Sequence, residues 1–148
     1  LCELRTAALL HDIGKTDMLK KIVASKESPL AKHLDIPKSH PWIGYILFAE
    51  IDCFKHIAEI ILRHHERYDG TGYPGELQGR KIPLAARIIS LADAFDRMTT
   101  ERKCRPAMGI IEALAEIKAC CGTQFDPALV PTFCQIINQA INQALLPD

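Results

Sequence analysis

None of the spacings that bind structural zinc is present, although there are six cysteines. Cys2, Cys53, Cys104, Cys120, Cys121 and Cys134 include no pair set two to four residues apart, and the adjacent Cys120-Cys121 is a poor start for a disulfide framework. Free thiols in a reducing cytoplasm are the expectation. Nor is there an excess of charge of one sign, since 18 Lys and Arg stand against 18 Asp and Glu, which argues against a broadly basic surface for a nucleic acid polymer or anionic lipid. No apolar run approaches the roughly 20 residues that cross a bilayer, and no basic-then-apolar leader precedes the first helix. Strand-type alternation never lasts more than a few residues, and internal repeats and low-complexity tracts are missing too. What remains is an all-α chain of 148 residues, one domain over 1–148, with nearly half its residues apolar and so able to bury a core.

Leu4, Ala7, Ala8 and His11 recur at helical spacing from the first residue, with no capping residue ahead of them. The chain is therefore expected to begin inside a helix and to lack its N-terminal helices. Between Thr16 and Lys38 the pattern weakens to short segments, Met18 to Ala24 and Leu30 to Leu34, interrupted by Pro29 and Pro37. Pro41 suits the first turn of a helix carrying Ile43, Ile46, Leu47 and Ile51, and a further helix over about 56–66 aligns Ile57, Ile60, Ile61 and His64. Three glycines and a proline in 69–75 force a tight loop. The run Leu84 to Met98 is apolar nearly all round, as a central buried helix would be. After Arg105-Pro106 comes an amphipathic helix on Ile110, Ile111, Leu114 and Ile117, closed by Gly122 as a left-handed cap. Asp126-Pro127 then opens a last helix that ends near Leu146.

The chemistry lies in the histidines and carboxylates. His11 ends an apolar helical face, where a lone histidine is commonly a hydrogen-bonded core residue, but Asp12 beside it brings in a carboxylate that costs several kcal/mol if buried unpaired. Its partner is either Lys15 or a metal. Asp93, among Ala92, Ala94 and Phe95, poses the same choice between an arginine and a metal, and Asp96 either shares its face or is solvated. His64 and His65 differ by about 100° around a helix, so one ion reaches both only where the helix ends, as the following Tyr68-Asp69-Gly70 suggests. With His40 these leave only His33 and His56 outside the proposed cluster. Nitrogen and oxygen donors without thiolates suit iron, manganese, nickel or zinc, and a bridging Asp12 would let two ions acidify a shared water held in line with a phosphorus atom, while Lys15 neutralises a phosphate oxygen.

The strings His11-Asp12-Ile13-Gly14-Lys15, His40-Pro41, His64-His65-Glu66-Arg67, Asp69-Gly70-Thr71-Gly72-Tyr73-Pro74, Leu91-Ala92-Asp93-Ala94-Phe95-Asp96 and Gly122-Thr123-Gln124-Phe125-Asp126-Pro127 together resemble the HD-GYP family, a branch of the HD-domain metal-dependent phosphohydrolases. The resemblance implies a helical bundle holding two or three divalent ions, iron or manganese ahead of zinc or nickel, that hydrolyses the bacterial second messenger cyclic di-GMP to pGpG or GMP. Carried across, the metal ligands would be His11, Asp12, His40, His64, His65 and Asp93, with Asp12 and Lys15 catalytic. Lys15, Arg102 and Arg105 would contact the dinucleotide, the two arginines being otherwise a solvated pair on a loop. Gly72, Tyr73 and Pro74 match a segment associated with contacts to GGDEF-domain partners, or form a structural turn that shields the site.

The family carries a further histidine, and in three-metal members a glutamate, ahead of the His-Asp string. Lys103-Cys104-Arg105-Pro106 replaces its usual proline, tyrosine, arginine pattern. A sensory or receiver domain upstream is implied. The alternatives are a signalling module that binds cyclic di-GMP or a GGDEF-type partner without catalysis, and a hydrolase of another nucleotide.

Overall fold

The computed structural model describes residues 2–16, 38–102 and 106–144. Six α-helices form the scaffold: α1 Cys2–Leu10, α2 His40–Ala49, α3 Lys55–Arg63, α4 Leu84–Thr99, α5 Ile110–Ala119 and α6 Val130–Ala144. Short 3-10 turns cover Ile13–Lys15, Asp52–Phe54 and Gly79–Lys81, and no strand occurs among the described residues. The fold is all-α, as the missing alternation requires. The two segments expected between Thr16 and Lys38 lie outside the described residues, as does Leu146.

Two apolar clusters hold the helices together, and α4 joins them. Ala7 of α1, Ile57, Ile60 and Ile61 of α3, Ile82, and Ala86 and Ile89 of α4 make the first. Leu91 of α4 with Leu114 and Ile117 of α5, Phe125, and Val130 and Cys134 of α6 make the second. Each fully buried Ile or Leu here contributes about 1.5–3 kcal/mol. α2 lies close on α3 because Gly44 leaves room for the Ile61 side chain, where a Cβ would sit 2.6 Å from Ile61 Cγ2.

Several expectations need correction. α4 is central but not buried all round: Ala86, Ile89 and Leu91 are its buried residues, whereas Leu84 is 54% exposed and Ala92 is exposed. The two clusters cover two sides of α4, and the Ile88-Ala92-Asp96 strip faces an open groove shared with Leu4 and Ala8 of α1. Ile51 is not on α2, which ends at Ala49; the chain turns into the 3-10 segment so that Phe48 and Phe54 stack with centroids 5.4 Å apart. Ile111 is 84% exposed, because Ala113, Leu114 and Ile117 point to the core and residue 111 lies roughly 110° around α5 from their mean direction. α3 stops at Arg63, three residues short of the sequence reading. α6 begins at Val130, and Asp126 caps the turn leading into it by accepting the Ala128 N–H at 2.8 Å. Gly122 takes φ +80°, as a left-handed cap should.

Candidate metal centre

α1 ends at Leu10, so His11 and Asp12 lie in the turn that follows and project together. Gly14 brings that turn against the start of α2: a Cβ there would lie 2.1 Å from the His40 carbonyl oxygen, so no larger residue fits without moving one of them. The contact sets His40 Nε2 3.4 Å from Asp12 Oδ1. α3 ends at Arg63, and the chain's turn beyond it aims His64 and His65 at the same point. His64 Nε2 lies 3.8 Å from Asp12 Oδ1 and 3.4 Å from His40 Nε2, and His65 Nε2 is 3.0 Å from His40 Nε2. From α4, Asp93 Oδ1 comes within 3.8 Å of His11 Nε2, which is also 3.5 Å from Asp12 Oδ2.

These donors fall into two sets, Asp12, His40, His64 and His65, and His11, Asp12 and Asp93, each with its ligand atoms within 4.8 Å of one another. Asp12 belongs to both. Donors about 2.1 Å from a tetrahedral or octahedral ion stand roughly 3–3.5 Å apart, close to the spacing found here. Two further observations fit a cation. His64 Nδ1–H donates to the Ile61 carbonyl at 2.6 Å and His11 Nδ1–H to the Ala8 carbonyl at 2.7 Å, which fixes both tautomers with a lone pair on Nε2, aimed inward. Among the described residues, the buried side-chain polar atoms without a hydrogen-bond partner are His11 Nε2 and Asp12 Oδ1. Three imidazole nitrogens gathered 3.0–3.4 Å apart, beside an unsatisfied carboxylate oxygen, form a donor set that one cation could satisfy.

The electrostatics keep the donors other than His11 in ligating form. Burial, then the neighbouring imidazoles, pushes His40 and His64 down to about 4 and His65 to about 3, so all three are neutral at pH 7. Burial also works to raise the carboxylates, but it is outweighed. Asp12 is lowered by Lys15, His11 and His40, and Asp93 is lowered to about 2 by His11 and Arg97. His11 is raised by Asp93 beside it.

The alternatives open in the sequence resolve into coexistence. Lys15 Nζ pairs with Asp12 Oδ2 at 2.5 Å, yet Oδ1 remains turned to the histidines. Asp93 Oδ2 lies 3.6 Å from Arg97 while Oδ1 faces His11. Asp96 is exposed, one turn beyond, and His56 is exposed and away from the cluster. Arg102 is exposed outside the cluster, and Arg105 lies outside the described residues.

The glycine-rich loop packs directly on the centre. Gly72 passes so close to Arg67 that a Cβ would fall 2.2 Å from the Arg67 nitrogen. The Tyr73 N–H donates to the His65 carbonyl at 3.2 Å, and its ring stacks on the His65 ring with centroids 4.9 Å apart and planes 27° apart. Lys38 Nζ stands 4.8 Å from the Tyr73 ring centroid on a cation–π contact. Pro74 follows within the same turn.

Three contributors had no separate part in the sequence reading. Glu66 is buried and accepts the Gly75 and Leu77 N–H groups at 2.7 and 3.1 Å, with Arg63 at 3.4 Å, and so anchors both ends of the loop. Arg97 reaches Asp93, a contact foreshadowed only by its i,i+4 spacing. The buried Arg87–Asp126 ion pair ties α4 to the turn before α6; nothing in the sequence spacing signals it.

The HD domain profile matches residues 1–129, and the chain belongs to the HD domain family. Among curated relatives, the cyclic di-GMP phosphodiesterase response regulator RpfG of Xanthomonas campestris is 40% identical over 126 residues, 84% of this chain and 33% of that protein. The 3'3'-cGAMP-specific phosphodiesterase 3 of Vibrio cholerae is 37% identical over 145 residues, 98% of this chain and 30% of that protein. A crystal structure of a cyclic GMP-AMP specific phosphodiesterase from Vibrio cholerae superposes with a TM-score of 0.64 at 25% identity, covering 92% of this chain and 38% of the other. The chain spans about a third of the length of these relatives.

Proposed function

We propose that this domain is a metal-dependent phosphodiesterase of the HD-GYP branch that hydrolyses a guanine-containing cyclic dinucleotide, cyclic di-GMP first. The observation that carries the reading is the pair of donor sets meeting on one carboxylate, Asp12. His40, His64 and His65 would hold one ion with it, and His11 and Asp93 a second. Bound there, a pair of divalent ions, iron or manganese, supplies Lewis acidity toward the phosphodiester and an acidified water. The chain's own residues do the rest. Lys15, at the mouth beside Asp12 and 48% exposed, is positioned to exchange its carboxylate partner for a phosphate oxygen. Asp93 is held ionised by His11 and Arg97, and the three neutral imidazoles keep their lone pairs available. Tyr73 and the Glu66-anchored loop cover His65 and limit water on that side.

Support for the substrate comes from relatives named for cyclic di-GMP and for 3'3'-cGAMP, both dinucleotides with at least one guanine. The parent protein carrying this domain, loaded with manganese or ferrous iron, is expected to convert cyclic di-GMP to pGpG or GMP, followed by chromatography. Bound metal without turnover of any cyclic dinucleotide would instead support a binding module, with the partly buried Tyr73-Pro74 edge of the loop as the place for a GGDEF-type partner.

A further inference from the structure

A cavity of ≈ 330 Å³ opens between α4, α5 and the loop before α6, and two of its lining residues are His65 and Asp93 of the metal centre. A ligand whose phosphodiester lies at those donors can extend into it. The groove between α1 and α4 also touches the centre, at His11 and Asp93, and is edged by Arg5 and Asp96, but its surface is nearly all apolar and offers little to read a base edge. Here the wall combines apolar surface from Met98 and Phe125 with the carboxylate of Glu116 and the amide of Gln124.

Resting on the phosphodiesterase reading above, we infer that this cavity seats a guanine base of the substrate, and that Glu116 is the residue that selects it. Gln124 Oε1 accepts from Arg67 Nη1 at 3.0 Å, which leaves its amide NH2 as the donor available to a ligand. Guanine presents N1–H and an exocyclic amine, two donors matched to a carboxylate, next to the O6 acceptor matched to an amide NH2. Adenine presents a bare N1 lone pair and an amine in the O6 position, so it sets a lone pair against Glu116 and a donor against Gln124. Arg97 also lines the space, 3.6 Å from Asp93, but with Glu116 and Asp93 both present the carboxylates outnumber it and disfavour a phosphate there. Met98 and Ala94 offer apolar contact to a flat heterocycle. The base shared by cyclic di-GMP and 3'3'-cGAMP is the one this cavity accepts.

The test compares kcat/KM of the metal-loaded protein for cyclic di-GMP, 3'3'-cGAMP and cyclic di-AMP, together with equilibrium binding of GMP and AMP. Cyclic di-GMP and 3'3'-cGAMP are expected to exceed cyclic di-AMP by about tenfold or more, and GMP to bind correspondingly tighter than AMP. Glu116→Gln should bring both ratios close to one. Glu112→Gln, an exposed change on α5 outside the cavity, should preserve them. If hydrolysis persists in Glu116→Gln with its preference intact, or if the unaltered protein binds GMP and AMP equally, the guanine assignment falls while the phosphodiesterase stands. A guanine preference in binding that Glu116→Gln abolishes, without hydrolysis of any dinucleotide, keeps the base site and removes the enzyme.

Discussion

Asp12 is the residue on which two donor sets meet, and its side chain contacts a lysine on one oxygen and imidazoles on the other. Asp12→Ala should therefore abolish binding of both ions at once and lower turnover by at least about 100-fold, judged by metal analysis and kinetics, while circular dichroism stays helical. Retention of parent turnover would exclude the bridging role. Tyr73 acts one step away. Losing its ring in Tyr73→Ala should weaken metal affinity about 10–100-fold by freeing His65, whereas Tyr73→Phe keeps the stacking and should stay near the parent. Metal titration of the two variants separates orientation from the hydroxyl, whose pKa burial pushes up to about 12 and which is therefore not ionised at pH 7.

The same histidines set a pH dependence in the metal-free protein. His40, His64 and His65 titrate at about 4, 4 and 3 when folded but near 6.5 when unfolded, so between those values the unfolded chain binds more protons. Stability rises with pH through that window, is fully present above about 6.5, and is lost as pH falls toward 4. Urea midpoints of chelator-treated protein should fall steadily from pH 7 to pH 4.5. A flat profile would contradict the buried, neutral state.

At the scale of elements, the helices were legible where hydrophobic period and punctuation agree. Ile57, Ile60 and Ile61 define α3, Pro41 marks the first turn of α2, and Gly122 closes the turn after α5. Exposure on α4 was not legible, because an apolar residue such as Leu84 or Ala92 reads the same whether a neighbouring helix covers it or not. The site was legible as residue types, as the end of α3 and, through the family resemblance, as one set of six donors, but the spacing alone does not show it: that His40 and His65 come 3.0 Å apart depends on how α2 packs on α3, and 25 residues of chain separate them. Gly44 permits that packing, and Gly14 sets the His-Asp turn against α2. Gly14→Ala should cost about 1–3 kcal/mol and displace the His-Asp turn from α2, seen as a lower melting temperature together with weaker metal binding. A change in stability with unaltered metal affinity would show that the turn is positioned by something else.

At the scale of the whole molecule, α4 is shared by both apolar clusters and carries Asp93 between them, so the centre sits where the two halves of the bundle join. One cluster presents His11, His64 and His65, while the other shapes the cavity beside them. The central claim is that two cations are held there on one shared carboxylate. The most direct measurement is anomalous diffraction from crystals loaded with manganese. The account predicts two peaks, one among His40, His64 and His65 and one beside His11 and Asp93, both in contact with Asp12. A single peak without Asp12, or none with the imidazoles hydrogen-bonded only to protein and water, would contradict it.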